Sequence, residues 1–289
     1  MRLSVIIACY NGAETLSDQL DGLAAQEWTQ PWEVIFVDNR SSDNSRAIAE
    51  QYKDRLPGLR IVDAMEKQGK SFALNKGILA AQGDLIAFAD ADDQVSPGWL
   101  AAMGNALETH ALVACRWDID TLNSDLAKRY RRNGQLDGVQ KINYPPYLPH
   151  AGGGTLGIQR ELHMKIGGFD EALRHLEDTD YVWRAQLAGA ELYFEPAAVM
   201  RIRFRDDIKG IYMQNRNYAE YNVFLSRRYR SHGESMPHPW RKFFSNWLNL
   251  IRTSRRLFRG PGPRAVWTGK LGWQLGLLRG VLKYRVPPV

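Results

Sequence analysis

The stretch Asp84-Leu85-Ile86-Ala87-Phe88-Ala89-Asp90-Ala91-Asp92-Asp93 decides how the rest of the chain is read. Its mostly apolar run predicts a short buried strand, and three carboxylates crowd the C-terminal end. In open α/β sheets, ligands bind just beyond the carboxyl ends of the strands. Acids gathered there repel one another, which predicts a positive partner among them. An oxygen-only donor set favours a hard divalent cation, Mg2+ or Mn2+, partly hydrated and shared with substrate phosphates. The competing reading is a solvated acidic loop leading into a helix that begins near Pro97.

The sequence before this stretch alternates strand-like and helix-like segments. Leu3 to Cys9 is a continuous β-favouring run, Tyr10-Asn11-Gly12 makes a turn, and Ala13 to Ala25 carries apolar residues at helical spacing. Trp32 to Val37 predicts a second strand, ending in Asp38-Asn39-Arg40-Ser41-Ser42-Asp43, where Ser42 or Asp43 caps a helix towards Gln51. Leu59 to Val62 predicts a third strand. Gly69-Lys70-Ser71 then opens a helix that Gly83 ends. The alternation predicts an α/β fold with a doubly wound, mostly parallel sheet and right-handed crossovers. Asp38 then falls at the same sheet edge as Asp90 and Asp92, either as turn chemistry or as a carboxylate that fixes a base or ribose. Gly69-Lys70-Ser71 lacks the first glycine and the spacing of a Walker loop. A lysine at a helix N-terminus still suits a diphosphate.

A chain of 289 residues accommodates one large α/β domain with an appendage. The two cysteines, Cys9 and Cys115, sit in apolar strand-like runs and are expected as buried thiols. Met1-Arg2 leads directly into a strand-like run, so no secretory leader is expected there. No apolar run reaches the roughly 18–20 residues that a membrane-spanning helix needs. Charge is unevenly placed: from Arg201 onward 19 Lys/Arg stand against 4 Asp/Glu, whereas the first 200 residues hold 19 against 28. Such a tail calls for a polyanionic partner, nucleic acid or an anionic membrane surface.

Taken together, the motifs resemble those of the family 2 glycosyltransferases with the GT-A fold. Ser4-Val5-Ile6-Ile7-Ala8-Cys9-Tyr10-Asn11-Gly12 is similar to their S-V-I-I-P-x-Y-N, and Val37 to Asp43 to their V-D-D-G-S-x-D. Lys70 to Gly77 resembles their A-x-N-x-G helix, and Asp90 to Asp93 their D-x-D-D. Gly167-Gly168-Phe169-Asp170-Glu171, then Glu177 to Arg184, resemble G-G-F-D-E and E-D-x-D-x-x-x-R. The resemblance covers roughly residues 3 to 230. It implies a metal-dependent, inverting transfer of one sugar from a nucleotide-sugar donor to a hydroxyl acceptor. Asp38 and Asp90 would contact the nucleoside, with Asp92 on the metal, Mg2+ or Mn2+. Asn75 and Lys70 belong to the donor side. An attacking hydroxyl needs a base; Asp178 is the first candidate and Glu177 the second. Glu177, Asp178 and Asp180 also suit the first turn of a helix. Gly152-Gly153-Gly154 is expected either to let backbone approach the sugar or to act as a flexible connection.

Three departures qualify the match. Asn39-Arg40 replaces an acidic-Gly pair. No histidine stands in Val199 to Arg205, where many relatives carry a metal ligand; Arg201 and Arg203 are expected to hold the diphosphate instead. Gln214-Asn215-Arg216-Asn217-Tyr218 resembles the Q-x-x-R-W of processive synthases with Arg one place early and Tyr for Trp, which favours single-sugar transfer.

The division expected is 1–230 for the catalytic domain and 231–289 for a basic helical extension. In the extension, Trp240 to Phe258 and Arg264 to Tyr284 mix aromatic, aliphatic and basic residues at helical spacing. That pattern fits a membrane interface or a helical lid. The acceptor is expected to be a cell-envelope or lipid-linked glycan, and the protein cytoplasmic and peripheral on the inner face of the cell membrane. A sugar-1-phosphate nucleotidyltransferase would need a Gly-rich loop that Asn11-Gly12-Ala13-Glu14 does not supply. A nucleic-acid-binding module finds no supporting motif, so no nucleic-acid partner is expected.

Overall fold

The computed structural model describes residues 2–130, 134–234 and 236–289. Ser235, in the linker expected over 231–239, lies outside the described residues. The strands are β1 Leu3–Cys9, β2 Trp32–Asp38, β3 Arg60–Asp63, β4 Leu85–Phe88, β5 Gln94–Val95, β6 Leu112–Asp118, β7 Leu156–Gln159 and β8 Leu192–Arg201. The α-helices are α1 Leu16–Ala24, α2 Ser45–Glu50, α3 Lys70–Ala80, α4 Trp99–Thr109, α5 Asp125–Tyr130, α6 Arg160–Lys165, α7 Glu177–Leu187, α8 Ile208–Arg228, α9 Pro239–Arg252 and α10 Pro261–Tyr284.

Two compact units divide the chain: Met1–Thr121, Gly134–Gln140 and His150–Arg203 form the first, and Leu122–Asn133, Lys141–Pro149 and Phe204–Val289 the second. The first holds one eight-stranded sheet in the order β3-β2-β1-β4-β7-β6-β8-β5. β3, β2, β1 and β4 are mutually parallel, and β1, β2 and β4 are buried on both faces as their largely apolar runs predict. Cys9 pairs with Asp38 and Ile6 with Phe88, so the turns after β1, β2 and β4 leave the sheet at one edge. β7 runs antiparallel between β4 and β6, and its start therefore arrives at that same edge.

Beneath this edge the core is aromatic. Phe169 and Tyr181 stack with centroids 3.9 Å apart, and Phe88 meets Phe169 edge-on at 5.3 Å. Such pairs add roughly 0.5–1.5 kcal/mol each beyond their buried area. They join the end of β4 to the first turns of α7.

The second unit is helical. α10 lies along α8, where a Cβ on Gly276 would sit only 2.1 Å from the Arg216 carbonyl oxygen. Buried Glu220 on α8 accepts from Lys283 Nζ at 2.9 Å and pairs with Arg279 at 3.3 Å. Ala219, Val223, Phe243 and Leu277 form the core shared by α8, α9 and α10. The two tail segments, alike in composition, thus differ in packing: the glycine face of α10 is closed against α8, while much of α9 stays exposed. Among the described residues no helix is long and apolar enough to cross a membrane.

Candidate active site

One oxygen each from Asp90, Asp92 and Asp93 lies within 4.8 Å of the others, just beyond β4. Asp93 is buried and Asp92 exposed. Burial first, then the charges of Asp92 and Asp90, push the Asp93 carboxyl well above its ordinary range. Oxygen donors at this spacing, one open to solvent, fit Mg2+ or Mn2+ rather than a softer ion. The loop is held from α1: Gln19, fully buried, donates to the Asp90 carbonyl at 2.9 Å and accepts from Val95 N–H at 2.9 Å. Thr15 Oγ1 donates to the Ala91 carbonyl at 3.2 Å. Sequence reasoning singled out neither residue. The signal for Gln19 was its place on the buried stripe Leu16, Leu20, Leu23, where an amide needs partners.

Lys70 opens α3 and sets its Nζ 2.5 Å from Asp90 Oδ1. Burial works against its charge, but Asp90 and Glu177 outweigh that, so its pKa is raised. Asp38 ends β2, buried, and its Oδ1 accepts from Ser41 N–H at 2.9 Å. This is the turn chemistry the sequence allowed. The adjacent loops interlock: Asn11 Oδ1 accepts from Ser42 N–H at 2.8 Å, and Asp43 Oδ2 from Ala13 N–H at 2.9 Å. Asn39 explains one departure from the family pattern. Its amide donates to the carbonyls of Ala64 (2.6 Å) and Lys67 (2.8 Å) and accepts from Gly69 N–H (2.7 Å). An ionised aspartate accepts only, so it cannot make the first two bonds.

Gly153 and Gly154 form a backbone shelf between the acids. Gly153 N–H donates to Asp178 Oδ2 at 2.9 Å. A Cβ on Gly154 would stand 2.6 Å from Asp90 Cγ, so the glycine is what lets Asp90 lie against the shelf. These glycines thus admit carboxylates to the backbone. Asp178 Oδ1 also accepts from Thr179 N–H at 2.7 Å, which fixes the carboxylate in one orientation. Thr179 Oγ1 in turn meets His150 Nδ1 at 3.2 Å. Burial lowers the His150 pKa to about 4 against the pull of Asp178, keeping the ring neutral near pH 7. Burial and then Asp178 raise the Glu177 carboxyl to about 7, in spite of Lys70.

The remaining predicted residues are engaged in bracing. Arg203 donates from its backbone N–H to Asp93 Oδ1 (2.8 Å), from Nε to the Asp92 carbonyl (3.0 Å) and from Nη2 to Asp18 (2.7 Å). Arg201 Nη1 donates to Gln94 Oε1 at 2.7 Å. Arg203 therefore ties the end of β8 to the acidic loop, and Arg201 ties β8 to β5. Asn75 turns the other way: its amide donates to the Phe169 carbonyl (2.9 Å) and accepts from Phe169 N–H (2.9 Å). It locks α3 to the loop ahead of α7.

The profile of Glycosyl transferase family 2 matches residues 4–167. The chain is 34% identical over 134 residues to "Uncharacterized glycosyltransferase YibD" of Escherichia coli (strain K12), covering 46% of this chain and 36% of that protein. It is 25% identical over 233 residues to poly-beta-1,6-N-acetyl-D-glucosamine synthase of Staphylococcus epidermidis, covering 75% of this chain and 54% of that one. The matches thus span less than two thirds of either relative's length. Among solved structures, mannosyltransferase PcManGT from Pyrobaculum calidifontis, in complex with GDP-Man and Mn2+, superposes with a TM-score of 0.67. That likeness, at 19% identity over 98% of this chain and 87% of the other, is one of fold.

Proposed function

Because the chain belongs to Glycosyl transferase family 2, we propose that its GT-A unit transfers a single sugar from a nucleotide-sugar donor to a hydroxyl acceptor, with inversion. The observation that carries this reading is the meeting of the Asp90–Asp93 acids, Lys70 and Asp178 on the Gly153–Gly154 shelf at one sheet edge. Asp92, beside Asp90 and Asp93, would hold Mg2+ or Mn2+, which offsets the charge on a departing nucleoside diphosphate. The Mn2+ in the Pyrobaculum calidifontis complex supports that choice.

The protein's own residues do the rest. Asp38 and Asp90 hold the nucleoside, and Lys70 places positive charge at the diphosphate. Arg203 braces the acidic loop, Arg201 ties β8 to β5 beside it, and both add positive charge at the diphosphate side. Asn75 supports the donor site through the Phe169 loop. The acceptor oxygen bonds to the anomeric carbon as the carbon–phosphate-oxygen bond breaks, and its proton passes to Asp178. Two backbone N–H groups orient that carboxylate. Glu177, with its carboxyl near 7, is the alternative base. One displacement with one base leaves the anomeric centre inverted.

The Staphylococcus epidermidis relative is named for a poly-N-acetylglucosamine, which supports a glycan as acceptor; a cell-envelope or lipid-linked glycan suits the basic tail. That fits a protein peripheral on the inner face of the cell membrane, with residues 231–289 as the basic extension of a catalytic domain over 1–230. Calorimetric titration with UDP and GDP in Mn2+ tests the site. One of them binds the wild type, and Asp92→Asn or excess chelator weakens it at least about tenfold. Undiminished binding in both would overturn the metal assignment.

A further inference from the structure

α9 has two apolar faces, and the fold uses one. Phe243 packs into the core of the second unit, and Leu250 is buried as well. Trp240, Phe244, Leu248 and Ile251 point outward, with Phe244 58% and Ile251 67% exposed. At about 100° per residue these four fall within an arc of about 80°. Arg241 and Arg252 follow within about 40° of its edge. The turn after the helix continues the pattern: Phe258 is 86% exposed and is preceded by Arg255 and Arg256. This surface is fixed in place, since Trp267 Nε1 donates to the Leu250 carbonyl at 3.0 Å and Arg264 Nε to the Leu257 carbonyl at 2.9 Å.

We propose that the outward face of α9, with Phe258, is a docking surface for an anionic lipid bilayer and that the helix lies in the plane of the interface. Charge complementarity selects this occupant. Residues 235–289 contain 11 Lys/Arg and no Asp or Glu, so every charge that α9 and the turn after it set beside the ridge, Arg241, Arg252, Arg255 and Arg256 among them, is positive. Exposed aromatic and aliphatic side chains beside Arg are the combination that enters the headgroup and acyl boundary. Fourteen helical residues measure about 21 Å, short of the roughly 30 Å hydrocarbon core, so α9 lies on the membrane. α10 takes no part through its glycine face, which α8 occupies. This deepens the peripheral-membrane reading and does not rest on the transfer reaction.

Cosedimentation of the full chain with phosphatidylcholine vesicles, with and without phosphatidylglycerol, tests the proposal. The wild type partitions at least about tenfold more strongly onto the anionic vesicles, and added salt reduces the difference. The double substitution Phe244→Ser/Ile251→Ser removes binding to both vesicle types while leaving the melting temperature within a few degrees. Arg252→Glu/Arg255→Glu lowers binding to the anionic vesicles alone, by about tenfold or more. Equal affinity for neutral and anionic vesicles, no binding, or wild-type binding by the Phe244/Ile251 variant would overturn it. So would a dimer in sedimentation velocity that Phe244→Ser/Ile251→Ser dissociates, because a second copy of the chain would then cover the ridge. Transfer to a soluble acceptor, measured on the same variants, separates failure of this surface from failure of the enzymatic reading.

Discussion

Replacing Gly154 by alanine adds one methyl group at the most crowded point of the site. Its Cβ would lie 2.6 Å from Asp90 Cγ and 2.8 Å from Oδ2, where ordinary contact begins at 3.4 Å. Asp90 must therefore retreat by about 0.8 Å, and its 2.5 Å pairing with Lys70 must stretch or turn with it. Gly154 is not among the glycines with positive φ, so the backbone itself tolerates alanine. The stability cost is that of modest overpacking, about 1–3 kcal/mol. A displacement near 1 Å in a catalytic arrangement costs about 10² in rate. We therefore expect turnover of the nucleotide sugar to fall about a hundredfold in a protein that still melts cooperatively. Gly153→Ala is the internal control, since its Cβ would meet Asp178 Cβ at 3.3 Å and needs only about 0.1 Å of adjustment. Wild-type turnover by a folded Gly154→Ala protein would refute the claim that Asp90 is seated on this shelf.

Asp178→Asn keeps the shape of the proposed base and removes its proton acceptor, so kcat should fall by about 10²–10⁴ while donor affinity holds. Loss of donor binding along with turnover would make Asp178 structural and promote Glu177. Glu177 also predicts a stability profile. Its carboxyl rises from an ordinary 4.5 to about 7 on folding, so the native state holds a proton that the unfolded chain releases. That stabilisation is fully present below about 4.5 and is lost as pH rises through about 7. Urea titrations across this window should show stability declining with pH in the wild type and a flatter profile in Glu177→Gln; identical slopes would remove the assignment. Gln19→Leu leaves the Asp90 carbonyl and the Val95 N–H without their buried partner. It should cost about 1–3 kcal/mol in urea unfolding and weaken Mn2+-dependent nucleotide binding.

The parallel half of the sheet was legible because β1, β2 and β4 are continuous apolar runs, buried on both faces. Parallel strands that end together put Asp38 and the Asp90–Asp93 group at one edge with no further information. The antiparallel pairing of β7 was not legible: a β-like Leu156-Gly157-Ile158 does not specify partners, and its neighbours β4 and β6 lie far away in sequence. The role of Gly153 and Gly154 was hidden for the same reason, since it depends on Asp90 and Asp178 arriving from other elements. Local hydrogen bonding also moved boundaries. α1 begins at Leu16 rather than Ala13, after a tight turn in which the Thr15 N–H bonds to the Gly12 carbonyl. Composition made the two tail helices look equivalent, yet the glycine spacing in α10 lets it close on α8 while α9 keeps an exposed ridge.

Metal-dependent, inverting transfer is tested by following the sugar itself. Purified protein, Mn2+ and a hydroxyl acceptor are incubated with a panel of nucleotide sugars, and the product's anomeric configuration is read by NMR. One donor is expected to release its nucleoside diphosphate, Asp92→Asn or chelator to stop the release, and the new glycosidic bond to have the configuration opposite to the donor. Retention of configuration, or transfer undiminished in excess chelator, would contradict metal-dependent, inverting transfer.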